Sequence, residues 1–199
     1  MIKETSRKWL ADNFGDHCID TTEYWIYNLR KALTTHSNIS GKIPNTLIET
    51  GTHYGMGTKM WSFQFDKVIT IETISKLRTT AMKQNTERDN IEFILGDSVA
   101  TLKATLHLYE QRLCFFLDSN SNLTSPLEEE LKAIRDHHKR KDSIIVIDDS
   151  HDLGNGTFPS VDTVHQIVMD INSEYVLEFL PLGTGVCLCY PPKNPLQMI

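Results

Sequence analysis

Short apolar runs recur along the chain at Thr46–Ile48, Val68–Ile71, Ile91–Leu95, Leu113–Leu117, Ile144–Ile147, Tyr175–Leu180 and Val186–Tyr190. Each has the length and β-branched or aromatic content of a strand. Most of the intervening segments carry apolar residues at helical spacing: Val99/Leu102/Leu106/Tyr109, Leu127/Leu131/Ile134 and Val164/Ile167/Val168/Ile171. Strands alternating with helices predict βαβ units, hence a parallel sheet with helices on both faces. Ser125-Pro126-Leu127-Glu128 marks one helix start, with an N-cap serine, proline in the first turn and the glutamate of a capping box. The last two runs are joined only by Pro181-Leu182-Gly183-Thr184-Gly185, too short for a crossover helix, so they predict an antiparallel hairpin. The Trp9/Leu10 region and Ile26/Leu29/Leu33 predict two N-terminal helices that pack on the sheet or cover a ligand. The expected organisation is a single domain over 1–199, with a helical cap over 1–42 and an α/β core over 43–193.

The polar residues between these runs carry the chemistry. Between the first strand and the following helix lies Glu49-Thr50-Gly51-Thr52-His53-Tyr54-Gly55-Met56-Gly57-Thr58, in which glycines at 51, 55 and 57 let the backbone approach a ligand closely. The helix start adds free N–H groups and a positive dipole end, which suits a nucleotide-like cofactor. The second strand ends in Glu72, and 72 − 49 = 23 is close to the roughly 20 residues expected for an acid that grips ribose hydroxyls.

Acids stand at the tips of five consecutive strands: Glu49, Glu72, Asp97 (in Gly96-Asp97-Ser98), Asp118 (in Asp118-Ser119-Asn120) and the pair in Asp148-Asp149-Ser150-His151. Crowding like charges along one edge is unfavourable unless something compensates them. A cofactor with hydroxyls, an amine and a positive centre would do so, as would a divalent cation. Asp118, Asp148 and Asp149 offer hard oxygen ligands suited to magnesium, calcium or manganese. The competing reading makes Asp149 a turn cap and Asp118 a lone cofactor contact.

Charge narrows the partners. Lys plus Arg number 20 against 26 Asp plus Glu, a net charge of −6 with a pI near 5.7, so no basic field is available for a phosphate backbone and no nucleic-acid partner is expected. The basic cluster His137-His138-Lys139-Arg140-Lys141 closes a predicted helix, where cations complement the dipole. No apolar stretch approaches the roughly 20 residues of a membrane span, and the N-terminus is too polar for a signal peptide. A soluble, cytoplasmic protein without a membrane partner is expected. Cys18, Cys114, Cys187 and Cys189 lack C-x-x-C spacing and read as buried thiols, with zinc ligation by the Cys187/Cys189 pair as the minor alternative.

The order of these signals resembles that of class I S-adenosylmethionine-dependent methyltransferases: E-T-G-T-x-x-G-x-G-T, then Glu72, Gly96-Asp97-Ser98, Asp118 and a seventh strand in a hairpin. The resemblance runs from about Leu47 to Pro191. It implies a Rossmann-like, seven-stranded, mostly parallel sheet with an antiparallel C-terminal hairpin. It places Glu49, Gly51 and Thr52 along the methionine moiety, Glu72 on the ribose, and Asp97 with Ser98 at the adenine. His53, Gly57, Thr58, Thr73 and Asp118 complete the expected cofactor set. A nicotinamide-dependent oxidoreductase, the alternative from another class, usually shows a tighter G-x-G-x-x-G.

Within that superfamily, Leu117-Asp118-Ser119-Asn120-Ser121, a helical Glu-Glu-Leu and Ile147-Asp148-Asp149 are similar to the metal-dependent O-methyltransferases of sugars. That likeness implies magnesium, or another divalent cation, on Asp118, Asp148 and Asp149, and an acceptor hydroxyl on a sugar or glycan. Those enzymes commonly carry a second aspartate, proposed as the base, where this chain has Asn120. An amide cannot accept the proton, so His151 becomes the candidate base and Asn120 the residue that orients a hydroxyl, with Asp118 beside them. The loop His151-Asp152-Leu153-Gly154-Asn155-Gly156-Thr157-Phe158-Pro159 reads as a lid with Phe158 lying on the sugar. A phenol or catechol O-methyltransferase and a non-catalytic methyltransferase-like binding protein remain open as alternatives, as does a homo-oligomeric state.

Overall fold

The computed structural model describes residues 43–120, 124–181 and 184–192. Its strands are β1 (Thr46–Thr50), β2 (Lys67–Glu72), β3 (Ile91–Leu95), β4 (Cys114–Leu117), β5 (Ile144–Ile147), β6 (Val176–Leu180) and β7 (Val186–Tyr190). The helices between them are α1 (Met56–Ser62), α2 (Ser75–Gln84), α3 (Ser98–Thr105), α4 (Leu127–His137) and α5 (Val161–Ile171). One seven-stranded sheet results, ordered β3-β2-β1-β4-β5-β7-β6. β1 through β5 pair in parallel, and β7 runs antiparallel to both β5 and β6. This is the Rossmann-like arrangement with a terminal hairpin. The two N-terminal helices predicted around Trp9/Leu10 and Ile26/Leu29/Leu33, and Cys18, lie outside the described residues.

Central strands sandwiched between helical layers must be apolar on both faces, and β4 and β5 (Cys-Phe-Phe-Leu and Ile-Ile-Val-Ile) are buried at every position. On one face Ile48, Ile71, Phe115, Leu117 and Ile145 pack with Leu102, Leu131, Ile134 and Val168 from α3, α4 and α5. On the other, Leu47, Phe116 and Val146 pack with Met60 and Trp61 of α1 and with Phe65. Cys114, Cys187 and Cys189 are buried thiols, and the last two point to one face of β7 with their sulfurs 3.8 Å apart. None of the helices among the described residues is long and apolar enough to cross a membrane.

Two local readings are revised, and one helix has no counterpart in the apolar pattern. α2 carries no clear apolar stripe, because Ala81 is its only buried residue. β1 extends past Ile48 through Glu49 and Thr50, so the first acid lies inside the sheet and not in the turn. Ser125 does not cap α4: Pro126 occupies the N-cap without a side-chain cap bond, and the Ser125 hydroxyl donates to Asn120 Oδ1 at 2.8 Å. Capping by Asp97 of α3 (Ala100 N–H, 2.8 Å) and by Ser160 of α5 (Thr163 N–H, 3.1 Å) follows the expected side-chain geometry.

Candidate functional site

The strand order reverses between β1 and β4, and an α/β sheet opens a crevice at that switch point, beyond the carboxyl ends of the strands. Gly51 closes its base. Its φ is +87°, its N–H donates to the Ile71 carbonyl at 3.0 Å, and a Cβ there would lie 2.0 Å from the Asp118 carbonyl oxygen. Only glycine lets β1 and β4 come together so closely at their tips.

Above it opens a cavity of about 660 Å³ lined by Gly51, His53, Glu72, Thr73, Asp97, Ser98, Asp118 and Asn120 among the sequence-predicted residues. Glu72 is buried and held by two backbone donors, His53 N–H on Oε2 at 2.8 Å and Ile74 N–H on Oε1 at 2.9 Å. Two fixed bonds set the carboxylate's orientation while leaving lone pairs for hydroxyls. Ile71, Ile74 and Leu77 give this cavity an apolar wall that the sequence reading did not assign. Its signal was an isoleucine two residues past Glu72 with a leucine three further on, on the opening turn of α2. Ile74 is 53% exposed and so presents apolar surface to the cavity.

Glu49, Thr52, Gly57 and Thr58 do not line that cavity. Glu49, Thr52 and Thr58 form a buried layer beneath it, with half-buried Gly57 beside Glu49: Thr58 Oγ1 and Thr70 Oγ1 (2.7 Å) donate to Glu49 Oε2, and Thr52 Oγ1 lies 2.6 Å from Thr70 Oγ1. Burial pushes the Glu49 carboxyl up to about 7 against the opposing hydroxyl bonds.

A second cavity, about 330 Å³, is lined by Asn120, Asp149, Asp152, Asn155, Gly156, Thr157 and Phe158. Asn120 borders both cavities and so marks their junction. His53 and Asp149 are the non-glycine residues with positive φ among the described residues (50° and 52°), and each lines one of the cavities. Such conformations persist where surrounding structure enforces them, and they concentrate at sites. His151, the candidate base, lines neither cavity. Its N–H donates to the Thr184 carbonyl at 3.1 Å and its exposed ring lies over Gly185, where a Cβ would come within 2.5 Å of ring Cδ2.

The carboxylates at the β4 and β5 tips feel one another. Asp118 is pushed up to about 9, first by burial and then by the charges of Asp148 and Asp149, with Glu49 and Glu130 adding. Asp148 is pushed up to about 6, chiefly by burial. This mutual repulsion and the hard oxygen donors fit a divalent cation. The side chains are not gathered around one: among the described residues no three His, Cys, Asp or Glu groups converge as a metal site, and Asp148 Oδ1 accepts the Asp149 N–H at 2.9 Å.

Glu130 of α4 is a further site residue, 1% exposed, and Ser119 Oγ donates to its Oε1 at 2.6 Å. The sequence held a signal for it. Glu130 stands three residues after Leu127 and four before Ile134, on the apolar stripe of α4 and not on its polar face.

No known family model matches the chain, and no curated protein matches it in sequence. Solved structures match it in fold. A methyltransferase from Podospora anserina bound to S-adenosylhomocysteine is 16% identical, with a TM-score of 0.59 over 96% of this chain and 87% of that one. An O-methyltransferase from Bacillus cereus in complex with S-adenosylhomocysteine is 15% identical, with a TM-score of 0.59 over 95% and 91%. The N-methyltransferase NodS from Bradyrhizobium japonicum is 12% identical, with a TM-score of 0.59 over 92% and 98%. At these identities the likeness is one of fold, and the chain has the methyltransferase fold. O- and N-methyltransferases share it, so the acceptor is decided by the local chemistry of the site.

Proposed function

We propose that this chain is an S-adenosylmethionine-dependent O-methyltransferase acting on a hydroxyl of a sugar or glycan with the help of a divalent cation. The observation that carries the reading is Glu72. Its carboxylate is clamped by two N–H groups at the edge of a cavity whose base is the Gly51–Asp118 contact, as a nucleoside diol requires. Asp97 and Ser98 line the same cavity, with Ile71, Ile74 and Leu77 offering a surface for an adenine ring. The terminal hairpin and the S-adenosylhomocysteine complexes among the similar structures support a methyl donor over a nicotinamide.

The acceptor belongs in the smaller cavity. Among the described residues Phe158 is its one aromatic wall, and Asn120, Asp149, Asp152, Asn155 and Thr157 supply hydrogen-bonding groups, a lining suited to a polyol more than to a planar phenol. S-adenosylmethionine in the larger cavity would supply an electrophilic methyl, and Asp118, Asp148 and Asp149 would hold a cation whose charge would lower the pKa of an acceptor hydroxyl. Asn120, already fixed by Ser125, orients the acceptor at the junction of the two cavities. With His151 outside both linings, Asp152 is the carboxylate beyond the cation set that faces the acceptor and can take its proton.

The test is calorimetric titration with S-adenosylhomocysteine and with NAD, followed by transfer of labelled methyl to a panel of glycosides and catechols. Micromolar binding of the former only, with label on a glycoside, is expected. Binding of NAD alone would refute the reading, and binding without transfer to any hydroxyl would favour a non-catalytic protein. For the cation, magnesium is expected to raise the melting temperature of wild type by several degrees and to leave Asp148→Ala unmoved. EDTA should abolish transfer. Transfer that survives both EDTA and Asp148→Ala removes the metal from the account. Asp152→Asn is expected to lower kcat at least about a hundredfold and His151→Ala by less than about threefold, and the reverse order would restore His151 as the base.

A further inference from the structure

Glu130 is a buried carboxylate that the mechanism above does not use. Ser119 Oγ donates to it at 2.6 Å, and the hydroxyls of Ser98 and Thr50 lie near enough to oppose the effect of burial on its pKa, so three separate segments meet at this carboxylate. Ser119 follows β4, Ser98 is the first residue of α3, and Thr50 is the last of β1. Ser98 and Ser119 line the larger cavity, whereas Glu130 stands behind its wall. Thr50 carries the connection further, because its Oγ1 accepts the Asp118 N–H at 3.3 Å and its neighbour Gly51 is the cavity base.

A leucine would be the ordinary occupant of this place on α4, between Leu127, Leu131 and Ile134. A carboxyl group there carries a large desolvation penalty, and burial does raise its pKa. What offsets the penalty is the Ser119 hydrogen bond together with the nearby Ser98 and Thr50 hydroxyls, and those residues are the parts of the site that need a fixed spacing. Ser98 belongs to the nucleotide side. Ser119 sits between Asp118, which lines the larger cavity, and Asn120, which borders both.

We infer that Glu130 is a positioning residue that ties the segment after β4 to the start of α3 and the tip of β1, so that both cavities share one geometry at residues 118–120. The inference rests on reading the larger cavity as the S-adenosylmethionine site. Two measurements on the full chain test it: the Kd for S-adenosylhomocysteine, and amide hydrogen exchange of residues 118–120 with and without that ligand. In wild type the ligand should slow exchange there. Glu130→Ala should weaken binding by about tenfold or more and speed exchange at 118–120, while the edge strand β6, at the far side of the sheet, exchanges as before. Glu130→Gln should restore both to within about threefold, since an amide can still bond hydroxyls that rotate to suit it. If Glu130→Ala fails to fold, Ser119→Ala is expected to speed exchange at 118–120 alone and to weaken binding less. Unchanged Kd and exchange in Glu130→Ala, or in Ser119→Ala where that is the variant available, overturns the inference. Wild type that does not bind S-adenosylhomocysteine would bring down the cofactor reading itself, and the inference with it.

Discussion

Gly51→Ala is expected to abolish binding of S-adenosylhomocysteine and to destabilise the protein by about 3 kcal/mol or more, read as a fall of roughly ten degrees in melting temperature. Two effects combine. A non-glycine residue at φ +87° carries a backbone strain of about 1–2 kcal/mol. The added methyl would also stand 2.0 Å from the Asp118 carbonyl oxygen and 2.7 Å from its carbon, so the tips of β1 and β4 must part. Those tips are the floor of the crevice, and Thr50 pairs with Leu117 immediately before them. Gly154→Ala separates the two effects: its φ is +86°, yet a Cβ there meets nothing within 4 Å. That variant should lose only the strain component, about 1 kcal/mol, and should bind normally. Equal damage from the two substitutions would mean that the β1–β4 contact is not what makes Gly51 necessary.

Glu49 should impose a pH dependence on the ligand-free protein. Its carboxyl is raised from 4.5 to about 7 by burial in the layer beneath the cavity. Below pH 4.5 the folded and unfolded chains both hold the proton and its stabilising effect is complete. As pH rises toward 7 the unfolded chain ionises first, and stability is lost, reaching about 3 kcal/mol once pH exceeds the folded value. His138 works in the opposite sense. It is buried against Phe115, bonds Ser143 and is pushed down to about 4, so its contribution is whole above pH 6.5 and disappears as pH falls toward 4. The Glu49 effect is therefore read as the difference between wild type and Glu49→Gln in urea unfolding at pH 4.5–8 with EDTA. The variant should gain on wild type by about 3 kcal/mol between the two ends, because an amide stays neutral. Parallel curves would show that Glu49 ionises freely in the fold.

The elements that could be read from sequence are those whose burial leaves no choice of residue. β4 and β5 are covered on both faces and appear as unbroken apolar runs, and α4 and α5 bury one face each and show it as a stripe. α2 escaped because it buries one alanine, which leaves no periodicity to detect. The Ser125 capping signal misled because a serine hydroxyl has more than one acceptor within reach, and here Asn120 takes it. Glu130 was legible as a charge on an apolar stripe, but its bonded partner Ser119 and the hydroxyls near it lie 11 to 80 residues away and no local pattern points to them.

By itself, then, the sequence determined the alternation of strand and helix, the terminal hairpin and the placing of an acid at each of five strand ends, because these depend on periodicity, linker length and local turn chemistry. The tertiary structure decided what those acids do. Glu49 turns down into a threonine-lined layer, Glu72 faces a cavity between two N–H donors, and Asp118 meets the charges of Asp148 and Asp149. The reason is physical: whether a carboxylate is buried, bonded or crowded depends on neighbours from other strands, and the order in which β1, β4 and β5 lie side by side is set by how the helices pack over the sheet.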